Sequence, residues 1–229
     1  MYKIVYIDEY QDDIDDFLDY FDEKDSNKDF EIKTLLPVES IEKMIDLIFQ
    51  ESPAAIISDF QLNEYKTTVK CNVPYTGVEL SEKIFEEKHG YPCFVLTSYD
   101  DNAIRDSQDV NIIYIKDILH GIEDKSNAKA NFLDIIKHQI KHYRSRISNA
   151  EKELLELIEK SNTKDLNAKE EARLLELDGF IEKSTNKKSA LPDQLKGTKN
   201  LDALHVLIAN TDKLLEELKR ENAGSSSEP

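Results

Sequence analysis

The sequence predicts an α/β protein. It reads as a five-stranded, parallel, doubly wound domain over residues 1–122, an all-α coiled-coil or bundle module over 123–222, and a flexible tail over 223–229. Three observations predict this. Short β-branched runs alternate with helical patterns through the first half. The second half repeats apolar residues at intervals of three and four only. The charge balance also changes between the halves. Residues 1–125 hold 29 Asp and Glu against 12 Lys and Arg, whereas 126–229 hold 18 of each, and together they give the formal net charge of −17.

Residues 3–7 (KIVYI) form the first strand and stop at Asp8. Ile14, Phe17, Leu18 and Phe21 follow at helical spacing. Residues 30–35 (FEIKTL) alternate apolar and polar, the pattern of a strand at a sheet edge. Ile41, Ile45, Leu47 and Ile48 mark the next helix. Residues 54–58 (AAIIS) are apolar without alternation, as in a strand buried on both faces, and stop at Asp59. A long loop precedes a helix over 78–88. Residues 93–96 (CFVL) stop at Thr97, a short helix is expected over 100–107, and 112–115 (IIYI) stop at Lys116. In parallel sheets of this kind the ligand sits beyond the carboxyl ends of the strands. The topology thus gathers Asp8, Glu9, Asp59, Thr97 and Lys116 on one edge.

Such a set has a definite chemistry. Clustered carboxylates repel one another, and a hard divalent cation such as Mg2+ relieves the repulsion through oxygen ligands. A carboxylate can attack phosphorus to give an aspartyl phosphate. A lysine and a metal neutralise the charge that spreads over the equatorial oxygens during transfer. Asp12, Asp13, Asp15, Asp16 and Asp19 read as a solvated helix face, with Asp12 within reach of a metal's outer shell.

On IVYIDE (4–9), AIISDFQL (55–62), GVEL (77–80), FVLTS (94–98) and IYIKD (113–117), the first half resembles the receiver domain of two-component response regulators. The resemblance implies a flavodoxin-like fold with Asp59 as phosphoacceptor. It implies Mg2+ held by Asp8, Glu9, Asp59 and the backbone carbonyl of Gln61. Thr97 would bond the phosphoryl group and Lys116 would pair with it. The implied donor is a phosphohistidine on a histidine kinase or a phosphotransfer protein. Four departures stand out. The loop over 60–76 is longer than the family's usual one. Ile113 stands where an aromatic is common, with Tyr114 directed to the opposite face by strand alternation. Asp117 replaces a common proline, and the stretch from Thr97 to Lys116 is short.

In the second half, 121–129 reads as a linker, and a long helix runs from about 130 to 160. Its apolar stripe is Leu133, Ile136, Ile140, Tyr143, Ile147, Ala150, Leu154 and Leu157. It begins as the domain's last helix and projects beyond it. Helices over 165–183 and 201–220 follow, and three helices with short connections favour an antiparallel bundle. The expected partner of this module is another protein, or a second copy through residues 130–160. His138 and His142, four apart, suggest a metal pair that no carboxylates complete. His205, on a helical segment, raises an adaptor role with phosphotransfer. The alternative is a phosphate sink that drains a kinase.

No Walker motif, nucleophile elbow, HExxH or kinase glycine loop is present, so the chain is not expected to be an enzyme beyond supporting its own phosphorylation. The absence of clustered Lys and Arg predicts no nucleic-acid partner. No leader or apolar span is apparent, which predicts a cytoplasmic protein without membrane association. Cys71 and Cys93 suggest neither a disulfide framework nor a zinc site.

Overall fold

The computed structural model describes residues 1–62, 73–98, 110–120 and 131–185. Five strands, β1 (Tyr2–Ile7), β2 (Phe30–Leu35), β3 (Ala55–Asp59), β4 (Cys93–Thr97) and β5 (Ile113–Ile115), form one sheet in the order β2-β1-β3-β4-β5. Every pairing is parallel. This is the flavodoxin-like order, and it is the receiver fold that the sequence predicts. The edge strand β2 keeps its alternating polar residues outward, whereas β3 and β4 are buried throughout.

Strand alternation sends successive side chains to two cores. Ile4, Tyr6, Ile57, Phe94 and Leu96 pack under α1 (Gln11–Lys24) and the start of α4 (Phe132–Ser161), meeting Ile14, Phe17, Phe21, Phe132 and Ile136. Val5, Ile7, Ile56 and Cys93 pack under α2 (Ile41–Gln50) and α3 (Gly77–Glu87), meeting Met44, Ile45, Ile48, Leu80 and Ile84. Leu47, expected in the α2 stripe, is exposed, and Met44 takes the inward place. Ser40 caps α2 through the Lys43 N–H, and Thr76 with Glu79 forms a reciprocal capping box on α3. Tyr114 packs against Phe94 and Phe132 while Ile113 joins Phe60, Val78 and Val95, so the two residues face opposite sides of the sheet as expected.

The described residues divide into two compact units, those within 1–149 together with 183–185, and those within 150–182. In the first, Leu133, Ile136 and Ile140 of α4 are buried in the domain's own core. These three positions are therefore covered within the chain, and the expected homodimer through residues 130–160 would have to use the rest of the stripe. In the second, α4 ends at Ser161 and the chain turns back into α5 (Ala168–Thr185). There Arg173 forks both oxygens of Glu153 at 2.7 Å, and Ala150, Leu174 and Leu177 are buried. The expected helices over 100–107 and 201–220, the linker over 121–129 and the tail lie outside the described residues, as does most of the loop over 60–76. Among the described residues no helix is long and apolar enough to cross a membrane.

Candidate functional site

The carboxyl edge of the sheet carries the predicted residues, each placed by its strand. Asp8 follows the last residue of β1, Asp59 ends β3, Thr97 ends β4 opposite Ile115, and Lys116 opens a short 3₁₀ turn after β5. Asp8 is fully buried, and Asp59 and Thr97 are nearly so.

Lys116 is the centre of the cluster. Its Nζ lies 2.7 Å from Asp59 Oδ1, 3.2 Å from Asp8 Oδ2 and 2.5 Å from Asp13 Oδ2. Asp8 and Asp59 are each held by further donors. The Tyr6 hydroxyl donates to Asp8 Oδ2 at 2.7 Å and the Tyr10 N–H to Oδ1 at 3.0 Å. The Gln61 N–H donates to Asp59 Oδ2 at 2.7 Å. The contact seen at Gln61 is thus through its backbone N–H, whereas the resemblance implies a role only for its carbonyl.

The acidic excess shows in the protonation of the group. Burial, opposed by Lys116 and reinforced by Asp8, pushes the Asp59 carboxyl up to about 6. Burial, then Asp8 and Asp59, pushes Glu9 up to about 7. Lys116 suffers the opposing effect of burial, but the charges of Asp59 and Asp8 outweigh it and hold the ammonium above its ordinary range. The Tyr6 phenol is held well above its usual value by burial and by the charge of Asp8.

These shifts set the pH dependence of stability. Between their ordinary values and about 6 to 7, Asp59 and Glu9 bind more protons folded than unfolded. Stability is therefore greatest at the acid end of that window and declines as pH rises through it. Urea midpoints are expected to fall from pH 5.5 to pH 8, and Glu9→Gln is expected to flatten part of the slope. A midpoint that rises over this range contradicts the electrostatics described here.

The donor chemistry fits a hard divalent cation. Asp8 and Asp59 present carboxylate oxygens at one edge, and both buried carboxylate oxygens of Glu9 have no hydrogen-bond partner. Among the described residues no three His, Cys, Asp or Glu side chains stand together as a ready metal-holding group. In this arrangement the Lys116 ammonium occupies the place between Asp8 and Asp59. His138 and His142 are both exposed on α4 and belong to no such group. His205 lies outside the described residues.

Three features escape sequence reasoning. Asp13, expected on a solvated face, bonds Lys116, because it lies one turn before Phe17 and two before Phe21, both buried. The spacing 13, 17, 21 is the available signal. Tyr6, which reads as strand filler, stacks on Phe17 with centroids 3.8 Å apart and aims its hydroxyl at Asp8. Gly77 opens α3 against the end of β3. A Cβ there would lie 2.0 Å from the Asp59 carbonyl oxygen and 2.6 Å from Ser58 Oγ.

No family model and no curated protein matches the sequence. Among solved structures the chain is similar to the RcsB response regulator of Salmonella typhimurium, described for its conformational dynamism in DNA interaction. The identity is 15%, the match covers 90% of this chain and 93% of that one, and the TM-score is 0.39. It is likewise similar to the two-component response regulator RcsB in complex with DNA, at 15% identity over 89% of this chain and 90% of that one, with a TM-score of 0.39. Both descriptions name DNA, which corrects the expectation that nucleic acid is excluded as a partner. The physical reason is that net charge is a sum. The whole excess of −17 lies in residues 1–125, and a balanced second half says nothing about local patches. At this identity and TM-score neither activity nor partner passes to this chain from the likeness.

Proposed function

We propose that the chain is a response-regulator-like signalling protein whose Asp59 accepts a phosphoryl group from a phosphohistidine on a histidine kinase or phosphotransfer protein. One observation carries the reading: the buried Asp59 carboxylate meets Lys116 Nζ at 2.7 Å, and the same ammonium reaches Asp8 at 3.2 Å. In the transfer an Asp59 carboxylate oxygen bonds phosphorus while the P–N bond to the donor imidazole breaks, the imidazole keeps the electron pair and takes up a proton, and an acyl phosphate remains.

The chain's own residues prepare this step. The Gln61 N–H fixes one Asp59 oxygen, so the carboxylate is oriented before the donor arrives. Burial strips water from the nucleophile and raises its basicity, yet with its pKa at about 6 it remains ionised at neutral pH. Lys116 stands where negative charge develops. Thr97, buried at the end of β4, is the hydroxyl assigned to the product. Asp8, Glu9, Asp59 and the Gln61 carbonyl would hold Mg2+, which when bound supplies charge neutralisation at the transferring group. Output would run through protein contacts of the helical module, with no catalytic activity beyond the chain's own phosphorylation. The added group brings roughly −1.5 to −2 charges to this edge, enough to bias two arrangements of the domain.

A phosphate sink is the second reading. Tyr114, the aromatic nearest Lys116 in sequence, is packed between Phe94 and Phe132 in the core rather than on the face of Ile113. A receiver without a movable ring there has less means of coupling phosphorylation to a surface. Elution volumes that differ between the free and phosphorylated chain support the switch, and identical volumes with unchanged partner affinity support the sink.

Metal removal tests the shared chemistry. Phosphorylation by phosphoramidate with Mg2+ is expected to fall roughly a hundredfold when a chelator is added, the scale of losing one charge-stabilising group. Equal rates with and without chelator overturn the metal assignment.

A further inference from the structure

Three carboxylates share one ammonium at this edge, and they are not equally held. Asp8 is fully buried and bonded by the Tyr6 hydroxyl and the Tyr10 N–H. Asp59 is almost as buried and bonded by the Gln61 N–H. Asp13 differs: its side chain is 37% exposed, and Lys116 is the partner that the cluster gives it. It stands in the first turn of α1, on the rim of the site rather than at a strand end. Asp8 and Asp59 are therefore fixed, and Asp13 has room to move.

We propose that Asp13 is a positioning residue for Lys116, holding its ammonium at the rim when a divalent cation takes the oxygens of Asp8 and Asp59. The inference rests on the reading of the site given above and adds to it a residue outside the strand ends. A cation of charge two between Asp8 and Asp59 repels an ammonium seated on the same oxygens. Without a third acceptor, Lys116 either stays and competes with the cation or leaves for solvent and is lost to the phosphoryl group. With Asp13 in place the ammonium shifts by a short distance, keeps a full ion pair at partial exposure, and remains beside Asp59. Asp13 thus lowers the cost of admitting the cation without touching it.

The test is calorimetric titration of the full chain with Mg2+ alone, comparing wild type with Asp13→Asn, Asp13→Glu and Asp15→Asn. Asp15 is an exposed carboxylate two residues further along the same helix, bonded to Gln11, and its removal reports the loss of one negative charge nearby. Asp13→Asn is expected to weaken Mg2+ binding roughly tenfold, within the coupling range of directly contacting charged groups. Asp13→Glu is expected to restore most of it, because the open rim admits one more methylene. Asp15→Asn is expected to change it less than roughly twofold, as a screened surface charge does. Thermal unfolding of each variant without Mg2+ shows whether any has lost its fold, and the Glu variant keeps the test decisive if the Asn variant does.

Equal weakening in Asp13→Asn and Asp15→Asn overturns the proposal, since a bulk charge effect then accounts for both. Failure of Asp13→Glu to recover binding overturns it as well. A wild-type chain that binds no Mg2+ at all overturns the reading of the site itself, a result distinct from these.

Discussion

Gly77→Ala is expected to abolish phosphoryl acceptance at Asp59 and to cost the fold ~3 kcal/mol, at the upper end of what overpacking a well-filled site does. The reason is a single close approach. A methyl carbon at position 77 would sit 2.0 Å from the Asp59 carbonyl oxygen, 3.0 Å from its carbonyl carbon and 2.6 Å from Ser58 Oγ. Two of these neighbours are backbone atoms of a central strand, paired on both sides, and cannot give way as a flexible side chain does. The Gly77 N–H also donates to the Phe60 carbonyl at 2.9 Å, so α3 cannot simply pull back without losing that bond. Alanine favours helices over glycine by roughly 1 kcal/mol, but that gain applies to helix interiors and is smaller than the clash. The control is Gly179, where a Cβ meets nothing within 4 Å. Gly179→Ala is expected to stabilise the chain by roughly 0.5–1 kcal/mol. Urea unfolding of the two variants should move their midpoints in opposite directions, and a stable, phosphorylatable Gly77→Ala contradicts the packing described.

Lys116→Met is expected to be the second large effect, because it leaves Asp8, Asp13 and Asp59 with no shared cation. The lysine side chain is only 12% exposed, and removing one partner of a buried pair costs roughly 3–5 kcal/mol, mostly from the charge left behind. Methionine keeps the length and the apolar stem, so the loss reports charge more than volume. The sign with pH is diagnostic. Without the lysine, the Asp59 carboxyl moves further up from about 6, so acid relieves the strain by protonating it. The stability gap between wild type and variant should therefore be widest near pH 8 and narrow towards pH 5. Added Mg2+ should narrow it too, since a cation that binds only the folded state stabilises it. A gap independent of both pH and Mg2+ means that Lys116 acts through packing.

Much of this fold is legible in the amino-acid sequence. The strands are visible as β-branched runs, and the residues that end them fall on one edge because parallel strands must all point the same way. The long helix is visible as a stripe, and α4 runs from Phe132 to Ser161 as the spacing predicts. What the stripe does not encode is its partner. Leu133 and Ile136 read equally well as a dimer seam or as cover for a sheet, and the sheet wins because its α1 face needs a second helix.

The site is legible at the strand ends and illegible away from them. Asp13 is hidden in a run of aspartates, and composition marks such a run as solvated. The approach of Gly77 to Asp59 depends on where two distant segments meet, and no local pattern encodes that. The reading of charge has a different limit. A balance of 18 acidic and 18 basic residues over 126–229, scattered along the chain, does not say which of them the fold gathers on one surface.

The central claim is tested most directly by intact-mass measurement after exposure to phosphoramidate and Mg2+. Wild type is expected to gain the mass of one phosphoryl group, and Asp59→Asn to gain none. A wild-type chain left unmodified, or an Asp59→Asn chain modified as fully as wild type, contradicts the assignment of Asp59 as the acceptor.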